Sequence, residues 1–206
     1  MVIYYPGGGW VTQSEGAINA LFINLTAHGY VVVSANYVSS SFAKWPAQIQ
    51  GAKAAVRWVR ANAATYSFDG ARIGVTGTSS GGHIAVYVGA SSGRSSARIG
   101  TEVIDLVGGI GGNFEQSDVV QAAAPFYPPT DLLVMDHYST PDVSDHNSAN
   151  APEGQLMGFG IQTLPNKTAT ANPLIFARGS LEIPLLPPFW IAHGTMDRSV
   201  GFNQSE

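Results

Sequence analysis

The sequence predicts an α/β chain: one domain over residues 1–206, with a mostly parallel sheet between two layers of helices. Three observations lead there. The order strand, loop, helix occurs three times in succession, each strand short and rich in β-branched or aromatic residues. Gly at 24 and Pro at 12 punctuate the chain between those runs. Finally, 206 residues that are 45% hydrophobic and 12% charged suffice for one sizeable core and exclude charge-rich disorder.

Residues 2–5 are a β-branched and aromatic run stopped by Pro6 and three glycines, a strand entering a tight loop. Ile18, Leu21, Phe22 and Leu25 fall at helical spacing, with Gly29 where a helix would stop, so 16–28 is expected as an amphipathic helix. Residues 30–34 are the next strand. Trp45-Pro46 then opens a second helix, with Ile49, Ala52, Val56 and Val59 on one face. Lys53, Arg57 and Arg60 share another face, which reads as solvated. Residues 72–76 form a strand that runs into GTSSGGH, and 84–90 is apolar enough for a buried helix. The Gly- and Ser-rich stretch 91–117 lacks a period and is expected to pass over the sheet's carboxyl edge, where such folds bind ligands. Residues 119–127 are a strand ending at Pro128-Pro129, 139–177 read as loops and short helices forming a small lid, and 189–192 are a last strand ending at HGTMD.

Charge and composition exclude several functions. Lys plus Arg 10 against Asp plus Glu 14 gives a net charge of -4, without the basic footprint of a nucleic-acid binder. No apolar run reaches the roughly 18 residues of a membrane span. The absence of Cys excludes disulfides, thiolate metal sites and a cysteine nucleophile. No leader-like segment is visible at the start, so a cytoplasmic location is expected, although glycosylation sequons begin at Asn24, Asn166 and Asn203. His137 and His146 lie among Asp136, Asp142 and Asp145, a set able to hold a cation; an exposed polar loop is the simpler account, and no metal or cofactor is expected.

Three motifs carry chemistry. Gly77-Thr78-Ser79-Ser80-Gly81 matches G-x-S-x-G between a strand and a helix, the context of a nucleophile elbow. Ser79 is the nucleophile, because only it has glycines two residues before and two after. Pro6-Gly7-Gly8-Gly9-Trp10 follows the first strand, and consecutive glycines free backbone N–H groups to face a developing oxyanion. Gly8, Gly9 and the N–H of Ser80 are assigned as those donors. A phosphate cradle is the competing reading, but no Gly-Lys-Ser/Thr follows. In HGTMD, Asp197 comes after the serine as the acid of a Ser, acid, His order requires; Asp131 is the runner-up. Tyr37, Trp45 and Trp10 are candidates to line an acyl pocket.

GGGW, GTSSGGH and HGTMD, in that order, resemble the α/β-hydrolase esterases of the hormone-sensitive-lipase and carboxylesterase type. AKAAVRWVRANAA, GGNFEQSDVVQAAAPFYPPTDL and APEGQLMG are more particularly similar to acetyl-xylan and feruloyl esterase-like members. The resemblance implies an α/β-hydrolase fold and a serine carboxylic-ester hydrolase acting on short acyl esters or acylated carbohydrates. Ser79 would be its nucleophile, Asp197 its acid and the glycine loop its oxyanion hole. Pro6 departs from the family's His before the glycines.

The resemblance also implies a catalytic His after Asp197, and none of the five histidines follows it. His83 and His193 read as structural, His28 closes the first helix, and His137 or His146 would make an unorthodox base. The chain therefore reads as a hydrolase core shortened at both ends, its open sheet edges suited to pairing with a second copy. Two other readings stand beside the esterase: a catalytically silent binding protein on the hydrolase fold, and a peptidase on the same fold.

Overall fold

The computed structural model describes residues 1–137, 145–177 and 186–206. The first part of the expected lid, Asp142 included, lies outside the described residues.

Four parallel strands form the sheet: β1 (Val2–Tyr5), β2 (Val32–Ser34), β3 (Gly74–Thr78) and β6 (Ala122–Phe126), in the order β2-β1-β3-β6. Parallel bridges from Ala123 to Phe189 and from Phe126 to Ala192 lay residues 189–192 along β6 as a fifth position. Each parallel step needs a crossover, and the hand of that crossover fixes which face the helix covers. From β1 the chain steps outward to β2; from β2 to β3 and from β3 to β6 it steps the other way. Its helices consequently divide between the two faces.

The alternation along β1 records that division. Ile3 and Tyr5 are fully buried, and the Tyr5 hydroxyl donates to the Ala52 carbonyl of α2 (Ala47–Ala61) at 2.9 Å. Tyr4 faces the opposite way, its ring 4.6 Å from Phe22 of α1 (Ala20–Ile23). The main core lies on the α2 side, where Ile49, Val56, Val75, Ile84 and Tyr87 meet between the sheet, α2 and α3 (Ser80–Ala90). The α1 face is thinner. The helix expected over 16–28 is four residues of α-helix followed by a 3-10 turn, Asn24–His28, ended by Gly29 at φ 80°. An apolar groove of 380 Å³ remains beside it, floored by Val2, Thr76, Ala124 and Phe126.

Two expectations from the sequence are corrected here. Residues 91–117 do not pass over the carboxyl edge. They leave from the far end of α3, whose 11 residues carry the chain about 16 Å back from the elbow. They then lie against α2 and include the antiparallel pair β4 (Ser96–Ile99) and β5 (Glu102–Asp105). Nor is the basic stripe of α2 a solvated face. Lys53 is 0% and Arg57 2% exposed, because this stretch lies over them and offers its carbonyls. Lys53 donates to Ser91 and Arg94, Arg57 to Ile110 and Gly112, and Arg60 to Gly70, Ser117 and Val119. Nothing in helical periodicity distinguishes a lysine reaching water from one reaching carbonyls.

Candidate active site

Parallel strands bring their carboxyl ends to one edge, so the loops after β1, β3, β6 and 189–192 converge there. The turn after β3 is the tightest. Ser79 has φ 53° and ψ −124°, a strained combination for a residue with a side chain, of a kind costing about 1–3 kcal/mol. It caps α3, and its amide donates to the Phe126 carbonyl at the end of β6, 3.1 Å away.

The flanking glycines are required by close approach. A methyl on Gly77 would sit 2.7 Å from the Tyr5 carbonyl oxygen, one on Gly81 2.6 Å from that of Pro6, and one on Gly82 2.7 Å from that of Phe126. The elbow is thus wedged between the ends of β1 and β6, and only hydrogen fits at those three α-carbons. The same packing brings the glycine loop to the nucleophile, since a methyl on Gly7 would lie 3.4 Å from Ser79 Cβ. Among the described residues, no acceptor takes the amides of Gly8, Gly9 or Ser80. Ser80 is the first residue of α3, where a helix leaves its amide unpaired.

Buried polar contacts fix this loop from behind. The Tyr37 hydroxyl donates to the Pro6 carbonyl at 3.1 Å and lies 3.0 Å from Ser80 Oγ, and burial raises its pKa. Trp10 Nε1 donates to His83 Nδ1 at 3.1 Å, and His83 Nε2 donates to the Ala171 carbonyl at 2.7 Å. That pattern requires a neutral imidazole, and burial accordingly lowers the His83 pKa from 6.5 to about 4. Both nitrogens of His83 are used and neither faces Ser79, as its position one helical turn into α3 suggests. Trp10 is 1% and Tyr37 4% exposed, so these two aromatics buttress the loop instead of lining an open acyl pocket, and Trp45 packs against Tyr87 at 4.9 Å.

The acid loop follows 189–192. Asp197 Oδ1 accepts from the amides of Ser199 and Val200 at 2.9 and 3.0 Å, which leaves Oδ2 for another partner. His193 Nε2 is 3.7 Å from Oδ2 but donates to the Val200 carbonyl at 2.8 Å. With Nδ1 on Ser205 Oγ at 2.7 Å, His193 braces the loop. Asp131 is occupied: its Oδ1 accepts from Asn172 Nδ2 at 2.6 Å and from the Leu133 amide at 3.1 Å.

A third layer was not legible in the sequence. Pro152, the first residue of α4 (Pro152–Met157), touches Gly9, whose added methyl would lie 3.0 Å from the proline ring. The next residue, Glu153, is buried with His146, Oε1 to Nδ1 at 3.1 Å. Glu153 raises the His146 pKa against the opposing effect of burial, and the Ser199 carbonyl of the acid loop adds to it. The only sequence signal was APEGQLMG itself, which names no chemistry. Among the described residues, no group of three or more His, Asp or Glu is arranged to hold a metal, and no helix is long and apolar enough to cross a membrane.

The chain has relatives among known proteins. The chain is 30% identical over 212 residues to the esterase LipQ of Mycobacterium tuberculosis, which covers 100% of this chain and 44% of that protein. LipM of the same organism, named a probable carboxylic ester hydrolase, is 27% identical over 97% of this chain and 42% of its own length, so the chain spans less than half of these curated relatives. Among solved structures, a bifunctional GH43-CE protein of Bacteroides eggerthii superposes with TM-score 0.88 at 35% identity, covering 99% of this chain and 28% of that one. A truncated carbohydrate esterase from gut microbiota superposes with TM-score 0.87 at 33% identity, covering 99% of this chain and 69% of that one. The fold is that of the α/β-hydrolases, and the BD-FAE family model matches residues 1–206. The chain therefore belongs to the BD-FAE family.

Proposed function

We propose that the chain carries the nucleophile, oxyanion hole and acid of a serine carboxylic-ester hydrolase. The observation that carries this reading is the backbone of Ser79, held at φ 53° between glycines that admit no side chain. Ser79 Oγ attacks the ester carbonyl carbon while its proton passes to a general base. The carbonyl oxygen becomes an oxyanion facing the amides of Gly8, Gly9 and Ser80, each donor of this kind being worth roughly 3 kcal/mol in the transition state. Collapse of the tetrahedral intermediate breaks the bond to the alcohol, which leaves with the proton from the base, and the acyl group stays on Ser79. Water then repeats the sequence and releases the acid. Asp197 Oδ2 orients the imidazole that serves as base and stabilises its charged form.

Four of the described histidines are placed away from Ser79 or otherwise engaged: His83 and His193 donate to backbone carbonyls, His146 pairs with Glu153, and His28 is an exposed residue of the turn after α1; His137 is exposed at the end of the 3-10 turn Leu132–His137. The resemblance implies a base that follows Asp197 in chain order. Short acyl esters and acylated carbohydrates are the proposed substrates. Support comes from relatives named as esterases and from a solved relative named a carbohydrate esterase, which also count against a silent binding protein.

Turnover of p-nitrophenyl acetate by the purified chain tests the reading. Release of p-nitrophenol, as turnover or as an acetylation burst, is expected from the parent and not from Ser79→Ala. Equal release by the two would overturn it.

A further inference from the structure

Far along α2 from the elbow, the stretch after α3 closes over a small polar pocket of 190 Å³ lined by Arg57, Arg94, Ser95, Gln116, Ser117 and Asp118. Its charges do not balance. Lys53 and Arg57 are both buried, at 0% and 2% exposure, and one buried carboxylate, Asp118, faces them. That carboxylate is already committed: Oδ2 lies 3.1 Å from Lys53 Nζ, and Oδ1 accepts from the Gly93 amide at 2.8 Å. Arg57 gives Nε to the Gly112 carbonyl at 3.3 Å and Nη2 to that of Ile110 at 3.1 Å, with the Phe114 ring 5.1 Å from Cζ. Its Nη1 is buried with no hydrogen-bond partner among the described residues. Glu115 acts on Arg57 only at longer range, from an exposed position.

A buried guanidinium with neutral partners and an unused N–H is costly unless an anion completes it. Arg94 also lines the pocket, its guanidinium carbon resting 5.8 Å from the Phe176 ring at the pocket's margin, and Ser95, Gln116 and Ser117 complete the polar lining. A planar fork and a point of hydroxyl donors suit an oxyanion, whose several oxygens can be shared between them. At about 30 Å³ for each water, the space admits a phosphate-sized ion with a partial hydration shell.

We propose that this pocket is an oxyanion site, separate from the catalytic edge, in which Arg57 holds the phosphoryl group of a small anion and Arg94 turns from Phe176 to close over it. The site has no part in ester cleavage. It ties the stretch after α3 to α2 and makes the stability of that flank depend on ligand. The proposal stands whether or not the chain proves to be an esterase.

The test is thermal unfolding of the full chain titrated with inorganic phosphate at constant ionic strength, chloride being the replaced anion. A saturable rise in Tm is expected, with apparent affinity at least tenfold weaker in Arg94→Ala and lost in Arg57→Met. Because Arg57→Met removes a buried group, its far-UV spectrum is checked first; if it does not fold, the Arg94→Ala comparison decides alone. A parallel titration with glycerol 3-phosphate distinguishes a free ion from a phosphate ester, the tighter of the two being the ligand class. No saturable rise with either, or an equal rise with acetate, or in Arg94→Ala with unchanged affinity, overturns the proposal.

Discussion

The two ends of the layer formed by α2 and α3 bury polar groups by opposite means. Behind the elbow and the glycine loop, the buried polar groups are neutral: His83 is held uncharged between an indole N–H and a carbonyl, Tyr37 and Tyr5 keep their protons, and glycines let backbones touch. On the flank of α2, burial is by charge, with Lys53 and Arg57 reaching carbonyls of the stretch after α3. A neutral network holds one geometry closely and suits a strained nucleophile. Long cations can satisfy many carbonyls at adjustable reach and suit an irregular segment. Rigidity at the first end and adaptable bonding at the second are what the residue types themselves allow.

The sharpest break of this contrast is Gly81→Ala. Its methyl would overlap the Tyr5 and Pro6 carbonyls, which are backbone and cannot swing away, so a loss of about 4 kcal/mol or more in urea unfolding is expected. The matching break at the charged end is Lys53→Met, which strands Asp118 in the interior, where it is 8% exposed; about 3 kcal/mol should be lost. Adding Asp118→Leu should return most of it, because an apolar pair of similar volume replaces the ion pair. If the double variant is no better than the single one, the flank is not held by charge in the way described.

Acid should separate the two kinds of burial more gently. His83 titrates at about 4 in the folded chain against 6.5 when free, so the unfolded state binds more protons. Its contribution is whole above about pH 6.5 and is lost as pH falls toward 4, about 3 kcal/mol at roughly 1.4 kcal/mol per pH unit. His146 has the opposite sign: Glu153 raises its pKa, so its contribution is whole below the ordinary histidine pKa and is lost as pH rises through the raised value. Urea midpoints across pH, repeated in His83→Gln, should show the acid limb flattened and the alkaline limb unchanged. The smallest effect is Tyr37→Phe, which removes the bonds to Pro6 and Ser80 Oγ while keeping the ring; about 1 kcal/mol is expected, read as a small drop in Tm.

The legibility of the sequence follows the same division. The elbow could be read because its rule is local: glycine two before and two after Ser79 is a steric demand written within five residues, and the strand and helix around it carry their own periodicity. The placement of 91–117 could not, because the direction depends on α3 returning the chain to the other end of the sheet, and the carbonyls that claim Lys53, Arg57 and Arg60, that of Gly70 apart, lie 38 to 59 residues away. Sequence distance likewise hides the contact of Pro152 with Gly9, whereas His146 and Glu153 are near in sequence and are paired by a loop that carries no period to read. The short α1 shows another limit. Ile18, Leu21, Phe22 and Leu25 have helical spacing, yet only Phe22 is buried, against Tyr4 and Phe126, and Leu21 is 54% exposed beside an open groove. Spacing identified the apolar residues without telling how much of the helix would form.

The most direct test of the central claim is the intact mass of the protein after treatment with an activated phosphonate ester, followed by peptide mapping. A nucleophile held in a strained elbow beside three free amides should take up one phosphonyl group, on Ser79, and Ser79→Ala should take up none. Absence of an adduct on the folded parent, or an adduct that persists at another residue in Ser79→Ala, would contradict the assignment of this site.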